Sequence, residues 1–191
     1  SMRTFLYKAL HLFEGNETVH PKRTDCYRLM LEAEYLCGNY DQAHIVFNQI
    51  KSFQLSTLDM VGIYIIYLKQ LASFGDIEEA LCIGQEALSL LKIPVPRYPK
   101  KHRLLFEFLQ MKWNMRHINI DELKTLNEMP DKYGTLAIRL LSELIIIEHN
   151  DDQFIFILVA TMIKVSLKYP CSYLFGYTMG IYGFILGHVF K

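Results

Sequence analysis

A short phrase is written twice in this chain. Residues 35–50 read YLCGNYDQAHIVFNQI, and residues 74–91 read FGDIEEALCIGQEALSLL. Aligning Gly38 with Gly75, an offset of 37, puts Ala43 on Ala80, Tyr27 on Tyr64 and Leu31 on Leu68. Each copy predicts two helices. The first carries Tyr27, Met30, Leu31 and Ala33, or Ile63, Tyr64, Tyr67, Leu68 and Leu71, at helical spacing. Gly38 and Gly75 fall just past those helices, where a left-handed residue ends a helix at least cost. Asn39 or Asp76 is expected to cap the next helix, with acids in its first turn. Ala43 and Ala80 allow the second helix to close on the first, Phe47 and Ile50 or Ala87, Leu88 and Leu91 extend its apolar face, and Pro94 and Pro96 stop the unit. One such hairpin cannot bury both faces, so it has to stack on a neighbour.

Composition agrees with a packed helical chain. Of 191 residues, 51% are hydrophobic and 21% charged, enough apolar surface for a substantial core. Twenty basic residues balance twenty acidic ones, which argues against a nucleic-acid-binding surface. Cys26, Cys37, Cys82 and Cys171 are widely spaced with no C-x-x-C pair, and read as reduced, mostly buried thiols of a cytoplasmic protein. Ser1-Met2 reads as a cloning remnant, which implies a chain cut from something longer.

Beyond Pro96 the helical period persists without the motif. Residues 100–116 are apolar at Leu104, Leu105, Phe108, Leu109 and Trp113; residues 121–127 predict a short helix. Asp131 is placed to cap a helix to about His149, through Leu136, Ala137, Leu140, Leu141 and Leu144. The turn His149–Asp152 leads to a helix that Pro170 ends, and Ser172–Phe190 predicts one more. With an amphipathic opening at Thr4–Phe13, about ten helices and essentially no strand are expected.

The repeated phrase resembles the tetratricopeptide repeat, over two units at residues 23–94. The period exceeds that family's 34 residues by three, placed around Ser52–Thr57, and Gly84 stands where Phe47 predicts a large residue. A wider resemblance lies in AEYLCGNYDQA (33–43), GDIEEALCIGQEALSLLKIPVP (75–96), LNEMPD (126–131) and IYGFILGHVF (181–190), in that order. These are similar to the helical-repeat region after the nucleotide-binding module of large bacterial signalling ATPases, proteins that join an ATPase to a serine/threonine kinase or sensor histidine kinase. The resemblance implies one helical-repeat domain over residues 1–191, with degenerate repeats at 95–191, forming an all-α, right-handed solenoid of antiparallel helix pairs. It also implies a non-catalytic interaction or regulatory segment of a multidomain signalling protein. Its partners would be a protein, a peptide or other domains of the parent. The phosphate loop G-x-x-x-x-G-K-[ST] and the kinase motifs do not occur in the sequence, so no cofactor is expected.

In such stacks the first helix of each pair lines the concave face. Carried onto this chain, that face gives Arg28, Glu32, Tyr35, Ile65 and Lys69 as the binding surface. The basic run Arg97–Arg103, with Arg97, Lys100, Lys101 and Arg103, is either a partner or phosphate contact or a solvated linker. His149, Asp151 and Asp152 have the chemistry of metal ligands, but acids there also suit a helix start. Two alternatives from other classes stand beside the binding reading. One is an enzyme with an unassembled site. The other is a membrane-associated segment, from the apolar runs 144–147, 154–163 and 174–190 and the G-x-x-x-G spacings at Gly176/Gly180 and Gly183/Gly187. The apolar helix Ser172–Phe190 is further expected to self-associate in the isolated chain.

Overall fold

The computed structural model describes residues 21–53, 55–116, 131–169 and 172–189, together with Thr4 and Lys8. Among them the protein is all-helical, with eight helices and no strand. These are α1 (Pro21–Leu36), α2 (Tyr40–Lys51), α3 (Thr57–Phe74), α4 (Ile77–Leu90), α5 (Lys101–Arg116), α6 (Lys132–Ile147), α7 (Asp152–Lys168) and α8 (Ser172–Val189). The helices expected at 4–13 and 121–127 and the stop at Pro170 lie outside the described residues.

Both copies of the repeated phrase form helical hairpins. Gly38 and Gly75 have φ of +74° and +88°, and the residues after them donate back to Glu34 O and Leu71 O, closing the helix ends. A Cβ at Gly75 would meet nothing within 4 Å, so the backbone alone makes glycine the favoured residue there. Gly75→Ala and Gly38→Ala are each expected to cost about 1 kcal/mol in chemical denaturation. A loss below ~0.3 kcal/mol at both would contradict this account.

The expected caps at Asn39 and Asp76 are corrected: neither side chain bonds its helix start. Asn39 Nδ2 instead donates to Glu34 Oε2 at 2.9 Å, across the turn. Three other starts are capped. Ser56 Oγ accepts from Asp59 N, Asp131 from Gly134 N, and Asp151 from Gln153 N and Phe154 N. The cysteines also depart from expectation. Cys37 and Cys82 are exposed and Cys26 is half-buried, because Cys37 lies in the turn after α1 and Cys82 on the outer side of α4.

The core follows the paired helices. Ala43, Val46, Phe47 and Ile50 of α2 pack on α3, whose Val61, Ile63, Tyr64, Tyr67, Leu68 and Leu71 are buried. Tyr67 lies between Phe47, stacked at 4.0 Å and 16°, and His44, whose Nδ1 is 2.6 Å from the phenol oxygen. Burial, with Glu79 and Asp76 adding repulsion, pushes Tyr67 up to about 12 from 10.0. An unfolded tyrosine therefore loses its proton first. Stability from this group is complete below pH 10 and is lost as pH rises towards 12. Denaturation midpoints measured across that window should fall, and Tyr67→Phe should flatten the fall.

The order of packing departs from the order in sequence at one place. Hairpin α3/α4 packs on α6, not on α5. α6 has a continuous apolar face, with Ala137, Leu140, Leu141 and Leu144 all at 0% exposure. Its start is docked on the end of α4, where the Tyr133 hydroxyl donates to Leu91 O. α5 lies instead against α7, with Phe108, Met111 and Met115 around a second, smaller core that includes Val159 and Ile163. Leu105, Leu109 and Trp113, although apolar at helical spacing, are largely exposed. α8 packs on α7 with Leu174 and Phe175 buried and Phe184 exposed.

Candidate functional site

The first helices of three hairpins, α1, α3 and α6, enclose an open groove of about 390 Å3. Three residues named from the sequence line it: Glu32 and Tyr35 from α1 and Lys69 from α3. Tyr35 donates its hydroxyl proton to Ser73 Oγ at 2.8 Å, and Ser73 donates to Lys69 O at 2.6 Å. Lys69 Nζ donates to Glu143 Oε1 at 2.9 Å, an ion pair that joins α3 to α6 at the groove wall. Arg139 of α6 adds a second cation, and Leu36 and Ile66 add apolar surface. At the groove, Gln70 is 5% exposed; its Nε2 donates to Leu31 O at 3.3 Å, while its Oε1 has no partner. A buried acceptor left without a donor costs roughly 1–3 kcal/mol.

Ile65 is corrected: it is 1% exposed and lies in the core. α3 is covered by α4, by α6 and by α1, so its buried arc is wider than one amphipathic stripe and takes in Ile65. Ile66, one residue on, is the isoleucine at the groove. Arg28 is exposed beside Asp25, at 3.8 Å, and outside the groove lining. Arg139 and Gln70 escaped the sequence reading. Finding Arg139 required knowing that α6, which lacks the repeated phrase, packs on α3 and α4.

The basic run 97–103 is divided rather than gathered. Arg97 Nη2 donates to Glu78 Oε2 at 2.5 Å, and its side chain is only 16% exposed, so it ties the connection to the start of α4. Arg103 Nη2 donates to Pro94 O at 3.3 Å. Lys100 and Lys101 remain exposed at the start of α5.

Lys51 Nζ and the Tyr64 hydroxyl both donate to Glu86 Oε2, at 2.9 and 3.1 Å, a cluster that links α2, α3 and α4. The hydrogen bond to Glu86 holds the Lys51 ammonium above its ordinary value, and the same bond holds Glu86 below the usual carboxylate range. The Glu148 carboxylate accepts from Asn150 N and Asp151 N, and Asp151 caps α7, so this turn is occupied in holding its own backbone. Among the described residues no three His, Cys, Asp or Glu side chains gather as metal ligands. No helix among them is long and apolar enough to cross a membrane.

Comparison with protein-family models, with curated proteins and with solved structures finds no match to this chain.

Proposed function

We propose that this protein is a non-catalytic interaction segment, a right-handed solenoid of helix pairs that binds an extended peptide or another domain along the groove of α1, α3 and α6. The observation that carries this reading is the groove itself. Three first helices, from hairpins that pack in succession, form its walls. They bring both charge signs, a half-exposed tyrosine and apolar surface from Leu36 and Ile66 to one concave surface. An extended peptide carries backbone N–H donors as well as carbonyl acceptors, so it matches a groove lined by a carboxylate, Glu32, and two cations, Lys69 and Arg139. The sequence resemblance extends the proposal to a cytoplasmic regulator in which this segment couples a signal to ATPase and kinase domains. The apolar face of α8 around Phe184 and Tyr177 is proposed as a second contact surface, for self-association.

A photo-crosslinking amino acid placed in turn at Glu32, Ser73, Asn48 and Phe184 tests these statements. Ser73 and Glu32 line the groove; Asn48 is exposed on α2, away from it. Partner adducts in cells should form from Glu32 and Ser73 and be lost on Lys69→Glu with Arg139→Glu. Adducts of equal yield from Asn48 would defeat the groove assignment. Adducts between copies from Phe184 would support self-association, and their absence at high protein concentration would refute it.

A further inference from the structure

The end of α4 repeats the geometry of the two glycine turns with a different residue. Lys92 N donates to Ser89 O and Ile93 N to Leu88 O, as after α1 and α3, yet the residue at φ +56° is lysine. Left-handed backbone is disfavoured for a residue with a Cβ, and both equivalent turns use glycine. Non-glycine residues held in this conformation cluster at functional sites.

Lys92 lines a recess of about 260 Å3 between the α4–α5 connection, α5 and the C-terminal half of α7. Lys92, Arg103, Lys164 and Lys168 all line it, against one acid, Glu107. Glu107 is buried and already takes a hydrogen bond from Lys164. The chain as a whole carries no net charge. Three cations beyond the single ion pair therefore line one small concavity, where like charges repel. Tyr169 closes one side, with Lys168 Nζ 5.3 Å from its ring centre.

We propose that this recess is an anion site that takes a phosphate group, free or carried on a small molecule as a phosphomonoester. A phosphate dianion offers several acceptor oxygens to ammonium and guanidinium donors, and a guanidinium binds it in two-pronged fashion. The site is separate from the groove of α1, α3 and α6, so either can fail without the other.

Calorimetric titration of the full chain at low salt, with inorganic phosphate, ribose 5-phosphate and sulfate, tests it. Saturable binding of phosphate or of ribose 5-phosphate is expected, and the tighter of the two identifies the source of the group. Lys92→Gly is the informative variant. Glycine relieves the left-handed backbone, so the melting temperature should rise while phosphate affinity falls about tenfold, the weight of one charge-assisted contact. Lys168→Gln should weaken binding to a similar degree, and Lys101→Gln, exposed outside the recess, should not. Absence of saturation with both phosphate probes overturns the proposal. So does binding that Lys92→Gly and Lys168→Gln leave unchanged, or that Lys101→Gln weakens as much as they do.

Discussion

Phe47→Ala is expected to remove roughly 3–5 kcal/mol of folding free energy, a large share of what a domain of this size holds. Phe47 is 1% exposed and joins two helices through its ring. It stacks on Tyr67 at 4.0 Å and meets Tyr64 edge-on at 5.1 Å, with the planes 73° apart. Truncation removes the buried ring and leaves a cavity that two tyrosines cannot fill without breaking their own contacts: Tyr67 with His44, and Tyr64 with Glu86. The matching truncation in the smaller core, Phe108→Ala, acts on a half-buried ring 6.4 Å from Phe156, and should cost less than half as much. Urea unfolding of both variants decides the matter. A loss under about 1.5 kcal/mol for Phe47→Ala would mean that α2 and α3 are not held by this ring.

The second large effect lies where α4 meets α6. At Gly84 a Cβ would sit 2.3 Å from Leu144 Cδ2, 3.1 Å from Cγ and 3.3 Å from Cδ1. Rotating the end of the leucine does not relieve this, because Cγ is itself too near and the side chain is fully buried. Gly84→Ala must therefore part the two helices or force Leu144 off its rotamer, at about 1–3 kcal/mol. Leu144→Ala alone should cost about 2–5 kcal/mol through the cavity it leaves. Together the two changes compensate, since the new methyl enters the space that the leucine vacates. The double variant is expected to be more stable than the sum of the single losses by at least ~1 kcal/mol. Strict additivity would show that the helices do not touch at this point.

The same glycine marks how far the sequence could be read. By alignment with Phe47, Gly84 looked like a defect in the repeat. A Cβ there would run into Leu144 of α6, so the small residue has a packing reason. That reason comes from a helix sixty residues away (Gly84 to Leu144), and no local pattern contains it. The groove was legible in part for a similar reason. Glu32, Tyr35 and Lys69 lie on the first helices of the two repeated hairpins and line it. Ile65 failed because a helix covered on three sides buries more than one stripe. Arg139 stayed hidden because α6 carries none of the repeated phrase.

What the sequence determined by itself is what depends on neighbours in the chain. Helix period, the glycines at φ +74° and +88°, the caps at Asp131 and Asp151, and the pairing of α1 with α2 and α3 with α4 are all of this kind. Each is set within a few residues or across one short turn, where the cost of closing the loop is small. The tertiary structure decided which helix stacks next. Both α5 and α6 carry apolar residues at helical spacing, and local pattern does not rank them. α6 occupies the place on α3 and α4 with Ala137, Leu140, Leu141 and Leu144 buried there, while α5 lies on α7, where its buried Glu107 pairs with Lys164. A buried carboxylate is costly unless it is paired, so the cation on α7 joins the smaller apolar core in matching α5 to that place. That choice in turn brought Arg103, Lys164 and Lys168 around one recess with Lys92, a gathering that only the folded chain reveals.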